Sequence, residues 1–157
     1  MTDSIDPAAD YSVPAETVEA VPRIFQVLRR AQEIMELTNV GAMLEGMLDL
    51  IVQICDAQAG NLYLLDAETG ALVLKAHQGE GEEKQNRSAK KGLLGEIMQG
   101  GKTIVLEDLE NDLRQKGFST QTYAPFDKLL SIPLMARGES LGVVQVFNYT
   151  HTPLSLL

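Results

Sequence analysis

Three polar side chains interrupt two otherwise apolar runs. Ser131 lies within Leu129–Met135, Gln145 within Leu141–Phe147, and Asn148 follows directly. Ligand sites are mostly apolar with a few placed polar groups, so these hydroxyl and amide groups are the first candidates for recognising a bound molecule. The runs around them lack strict alternation and include Val143, Val144 and Val146, which suits strands covered on both faces. Arg137-Gly138-Glu139-Ser140 joins them with turn chemistry, because Gly138 can take φ > 0 without a Cβ clash. The stretch is therefore read as a β-hairpin at the centre of a sheet. Alternation puts Ser131 on one face with Leu129 and Pro133. It puts Gln145 on one face with Val143 and Phe147, opposite Val144, Val146 and Asn148. Which set would face a pocket is open at this level, and an ordinary core hairpin is the competing reading. Pro133 offers no N–H and needs a bulge or an unpaired side.

Other reactive types are sparse. Cys55 is the single cysteine, which excludes an internal disulfide and any CxxC site. It falls on the apolar face of a helical pattern with no base or cation nearby to form thiolate, so it reads as a small core residue. His77 and His151 are the two histidines. Neither has a companion nearby in sequence, so no metal site is expected and His77 reads as a surface residue. Gly101-Lys102-Thr103 invites a phosphate-loop reading, but the first glycine would have to be Glu96, and Gly95 is one residue too early. A helix also precedes it and a strand follows, the reverse of the required order. No Ser-His-Asp set is suggested. The chain is accordingly expected not to be an enzyme, with no catalytic residues and no cofactor.

The 157 residues make one domain with at most a tail and can bury a real core. A net charge of −9 argues against nucleic acid and against anionic membrane surfaces. No apolar run reaches transmembrane length and the acidic start is unlike a secretory signal, so the expected compartment is the cytoplasm.

Along the chain, residues 1–21 read as a flexible acidic arm that can turn helical near Glu16, and residues 22–157 as the domain. Ile24–Leu37 reads as a helix with Pro22 in its first turn. Ile24, Leu28, Ala31 and Met35 follow heptad spacing with Val27 and Ile34 beside them. That stripe either packs on its own domain or forms an intersubunit seam. Asn39 or Thr38 can cap a second helix, Gly41–Cys55. Strands are expected at 59–66 and 71–77 around a Gly70 turn, then a solvated loop over 78–91. A short helix closed by glycines follows at 92–101, then a strand at 102–106. Residues 113–128 read as a short helix and loop, with a mobile polar segment at 119–123. Thr152-Pro153 looks like the start of a final helix that the chain cuts short, implying a longer protein.

This order, with Asn61–Asp66, Gly92-Leu93-Leu94-Gly95 through Gly100, Ile104 and Asp108, and Leu130–Leu134 with Gly142–Asn148, resembles the GAF domain over roughly residues 37–151. The resemblance implies an α+β fold: a six-stranded antiparallel sheet, terminal helices on one face, short helices and loops over a small-molecule pocket on the other. It also implies a regulatory role, often as a homodimer through the terminal helices and with an effector domain in the same full-length chain. On that template the candidate ligand residues are Leu94, Asp108, Phe118, Tyr123, Phe126, Ser131, Gln145 and Asn148, and the candidate dimer residues are Ile24, Leu28, Ala31 and Met35. Core filling is the competing reading of each aromatic. Cyclic-nucleotide-binding relatives carry Asn-Lys where this chain has Asn148-Tyr149. Bilin-binding relatives and free methionine sulfoxide reductases use pocket cysteines, a role that Cys55 cannot fill. The alternative function is a ligand-free dimerisation scaffold.

Overall fold

The computed structural model describes residues 15–36, 39–80, 86–123 and 125–150, with side chains described from Phe25 onward except at 122. Two helices, α1 (Ala15–Met35) and α2 (Val40–Cys55), precede β1 (Ala59–Leu65), β2 (Ala71–Gly79) and β3 (Asn86–Ser88). Then come α3 (Gly92–Gly100), β4 (Ile104–Leu106), α4 (Leu109–Gln115), a 3₁₀ turn (Gln121–Tyr123), β5 (Leu129–Ala136) and β6 (Glu139–Phe147). The strands form one antiparallel sheet in the order β3-β2-β1-β6-β5-β4, so the expected α+β architecture is the one observed.

The central hairpin turns at Arg137 and Gly138, with φ of 52° and 81°. Two successive positive φ values make the tight turn whose twist matches that of the strands. Beside Pro133 the outer edge of β5 is unpartnered, because β4 ends at Ile104 opposite Ser131. A register shift follows between Leu134 and Met135. The missing N–H therefore breaks no ladder.

Each face of the sheet has its own core. On one side Leu48 and Cys55 of α2 pack with Leu62, Leu130, Val144, Val146 and Tyr149. Asn39 caps α2, its side chain accepting from Ala42 N at 3.2 Å. On the other side Leu93, Leu94 and Ile97 of α3, Leu109 and Leu113 of α4, and Tyr123 pack over Ala59, Tyr63, Leu129, Val143 and Phe147. Gly95 lets the segment before α3 lie directly on the helix, since a Cβ there would press into the Lys90 carbonyl.

Several local readings change. α1 starts at Ala15, next to Glu16 where the arm is expected to turn helical, and runs on without a break, so Pro22 stands within the helix instead of its first turn. The loop over 78–91 contains β3, a three-residue edge strand whose polar composition hid it. The acidic run after β4 forms the start of α4, where carboxylates complement the helix N-terminus. Within the segment read as mobile at 119–123, Gln121–Tyr123 forms the 3₁₀ turn and Tyr123 is buried. The truncated final helix, residues 1–14 and Thr38 lie outside the described residues. Among the described residues, no helix is long and apolar enough to cross a membrane.

Candidate functional site

The register of the sheet assembles a feature that no linear segment contains. Ser131 lies opposite Gln145, Gln145 opposite Asn61, and Asn61 opposite His77. Four strands thus place four polar side chains in one row across the middle of the sheet. Alternation puts the row on the face with Val143, Phe147 and Tyr63, the face covered by α3 and α4.

The two ends of the row differ. Asn61 Oδ1 lies 2.6 Å from His77 Nδ1, and His77 Nε2 donates to the Gly79 carbonyl at 2.9 Å. Ser131 and Gln145 are fully buried, yet Ser131 Oγ and both Gln145 amide atoms have no hydrogen-bond partner. Buried polar groups are nearly always paired, so three unpartnered atoms at adjacent positions call for an explanation. Donor and acceptor capacity held in a dry layer is what recognition of a polar ligand requires.

Beside this layer a cavity of about 190 Å³ opens between β3, the start of α3 and the segment around the 3₁₀ turn. Leu93, Leu94, Phe118 and Tyr123 line it together with Arg87, Ser88 and Lys91. Arg87 Nη2 donates to the Tyr123 hydroxyl at 3.4 Å, and the guanidinium sits 5.6 Å from the Tyr123 ring centroid. Burial pushes the Tyr63 hydroxyl above the ordinary tyrosine value, and the Arg87 charge opposes that shift. Arg87 therefore reaches inward between two tyrosines.

The sequence candidates separate on this geometry. Leu94, Phe118 and Tyr123 line the cavity, whereas Ser131 and Gln145 do not line it but lie buried on the sheet face that α3 covers. Asp108 and Asn148 are placed elsewhere, and Phe126 fills the core of the same face without lining the cavity. Asp108 caps α4, accepting from Asn111 N at 3.4 Å. Phe126 stacks on Phe147 with centroids 4.5 Å apart. Asn148 takes φ of 49°, accepts from Asp127 N at 2.8 Å and Lys128 N at 3.0 Å, and donates to Gln58 Oε1 at 2.9 Å. Sequence reasoning missed Asn61, His77, Arg87 and Lys91. Asn61 was visible as an amide two residues before Tyr63 in an apolar strand, whereas Arg87 had no signal inside a polar segment. Tyr149 is buried on the opposite face and donates to Glu107 Oε1 at 2.8 Å. Cys55 is on that face too, and burial pushes its thiol up to about 11.

Of the stripe on α1, the Ile24 side chain lies outside the described residues. Leu28 and Met35 are 56% and 78% exposed, with Phe25 beside them at 68%, while Ile34 turns inward against α2 near Gly46. Ala31 is half-buried.

A profile of the GAF domain matches residues 38–156. No functionally curated protein matches in sequence. The fold is shared with the GAF domain of an Acinetobacter phosphoenolpyruvate-protein phosphotransferase, at TM-score 0.71 and 19% identity over 91% of this chain and 85% of that one. The GAF domain of a Coxiella burnetii phosphoenolpyruvate-protein phosphotransferase gives TM-score 0.65 and 21% identity over 84% and 83%. The free methionine-R-sulfoxide reductase of Neisseria meningitidis, solved with its substrate, gives TM-score 0.67 and 18% identity over 82% and 74%. The last similarity overturns the expectation that this chain is not an enzyme. That expectation rested on missing catalytic motifs and on Cys55 not serving as a pocket cysteine, and the same fold carries a reductase.

Proposed function

This chain belongs to the GAF domain family, and from that premise we propose that it is a cytoplasmic sensory domain that binds a small molecule beneath α3 and relays occupancy through its helices. The observation that carries this reading is the buried Ser131–Gln145 pair without hydrogen-bond partners at the centre of the sheet. A polar ligand seated against the pair would satisfy it and would couple α3 to β5 and β6. The relay runs through the sheet, because α2 packs on the opposite face of the same strands. Differential scanning fluorimetry and native mass spectrometry against a metabolite library test it. A hit that raises the melting temperature of the wild type and not of Gln145→Met supports the reading. A library without hits counts against it.

The exposed Phe25, Leu28 and Met35 on α1 favour a second element, pairing with another copy of this chain along α1. An effector domain in the same full-length chain would then read the pairing. Sedimentation of the Leu28→Asp, Met35→Asp double variant tests it, and an unchanged oligomeric state removes the proposal. If this pairing persists while no ligand is found, the domain is a scaffold only.

A further inference from the structure

The two charged groups among the described residues that line the cavity are both cations, Arg87 and Lys91. The chain as a whole carries −9, with 22 carboxylates against 13 Lys and Arg. On so acidic a protein, a cavity wall with two cations and no described carboxylate is a local reversal of sign. Neither cation forms an ion pair with a described carboxylate. Arg87 is held in place by its strand pairing with Leu72 and by the Tyr123 ring and hydroxyl. A guanidinium has five N–H donors in a rigid fork, and with the Tyr123 and Tyr63 hydroxyls each taking one, donors suited to a carboxylate are left.

The first turn of α3 adds to this. Lys91 stands at its N-cap without a side-chain capping bond, and Gly92, Leu93 and Leu94 of the first turn all line the cavity. Backbone N–H groups at a helix start favour an anion. The independent observation is the Ser131–Gln145 pair, fully buried and unpartnered on the face that α3 covers. Leu94 and Tyr123 line the cavity and also pack into the core around Val143 and Phe147, the neighbours of Gln145 on its face of β6. Ser131 and Gln145 do not line the cavity, and its two cations and the first turn of α3 fit a molecule with a negatively charged head.

Size narrows the class. The cavity of about 190 Å³ is below the ~300 Å³ at which ordinary ligand pockets start, which favours a small ligand.

We propose that this cavity takes the carboxylate of a small organic acid, with Arg87 and Lys91 as its charge partners and the first turn of α3 as its N–H donors. The proposal rests on the reading of this face as a ligand site and adds the chemical class. Each acid titrated with its own amide separates the two: acetate, propionate, succinate and glutarate against acetamide, propionamide, succinamide and glutaramide, at constant ionic strength, followed by ¹H–¹⁵N NMR. Inorganic phosphate is a further arm.

The expected result is saturable binding of at least one acid, with shifts centred on Gly92, Leu93, Leu94 and Arg87, and no binding of its amide. Arg87→Gln weakens that acid at least ten-fold and Arg87→Lys by less. Lys91→Gln weakens it several-fold, and Lys75→Gln, outside the cavity, leaves it unchanged. An acid from the metabolite screen that meets the same tests supports the proposal equally. Amide binding as tight as acid binding, insensitivity to Arg87→Gln in a folded variant, shifts centred elsewhere, or binding of phosphate alone each overturn the acid class while leaving the ligand site standing. If neither the acids nor the metabolite library binds, the site itself is refuted along with the class.

Discussion

Replacing Gln145 by Met should make the ligand-free protein more stable. Gln145 is fully buried, and neither its amide oxygen nor its amide nitrogen has a partner. Each unsatisfied buried polar group costs about 1–3 kcal/mol. Methionine keeps the length and flexibility of the side chain and removes both polar atoms. Allowing for imperfect repacking, the net gain should be about 1–3 kcal/mol. For a domain of this size that is a rise of about 3–9 °C in melting temperature. Urea denaturation and calorimetry of wild type and variant, without added ligand, measure it directly. Asn148→Gly is the matched contrast. Its amide makes three hydrogen bonds to Asp127, Lys128 and Gln58, and its φ of 49° suits glycine without strain. Losing those bonds should cost about 2–3 kcal/mol. Two amides three residues apart thus respond in opposite directions. A Gln145→Met variant that loses about 1 kcal/mol or more would show that the amide is satisfied within the protein, and would refute the inference that it is held for a ligand.

Other outcomes follow from single contacts. Arg137→Asn should stabilise by about 0.5–1 kcal/mol, read as a higher urea midpoint, because Arg137 holds a positive φ in the hairpin turn. Gly95→Ala should destabilise by about 1–3 kcal/mol and shift the amide resonances of the α3 N-terminus, because the new methyl meets the Lys90 backbone. Burial raises the Cys55 thiol from 9.0 to about 11. Its contribution to stability is therefore complete below pH 9 and lost as pH rises through about 11, so the wild type should lose stability over that window relative to Cys55→Ala. The thiol should also resist thiol reagents in the native state at pH 8. Glu107 is held below the ordinary carboxylate value, first by the Tyr149 hydroxyl and also by Lys128. Its contribution is present above that ordinary value and fades as pH falls through the lowered one, so Tyr149→Phe should flatten the acid limb of the stability profile.

Local patterns settled much of the architecture. Apolar runs of strand length, a Gly-containing turn and an Asn cap are short-range signals, and the hairpin over residues 129–147 and α2 formed as read. β3 escaped because an edge strand needs little apolar content when one neighbour holds it. The place of Pro22 escaped because the acidic stretch before Ile24 carries no helical periodicity, although a helical turn near Glu16 is where α1 begins.

The site divides the same way. Strand alternation alone put Gln145 with Val143 and Phe147, apart from Val144 and Val146, and marked Ser131 and Gln145 as polar exceptions. Pairing across strands is a long-range property, and it alone brought Asn61 and His77 into line with them. It also turned Asn148, two residues past Val146, into a link joining the β6 end to Asp127, Lys128 and Gln58. Arg87 and Lys91 looked like solvated charges because a charge run has no preferred partner until the chain folds. Only the tertiary structure set them against Tyr123 and the start of α3, where a cation faces a cavity and its charge acquires a use.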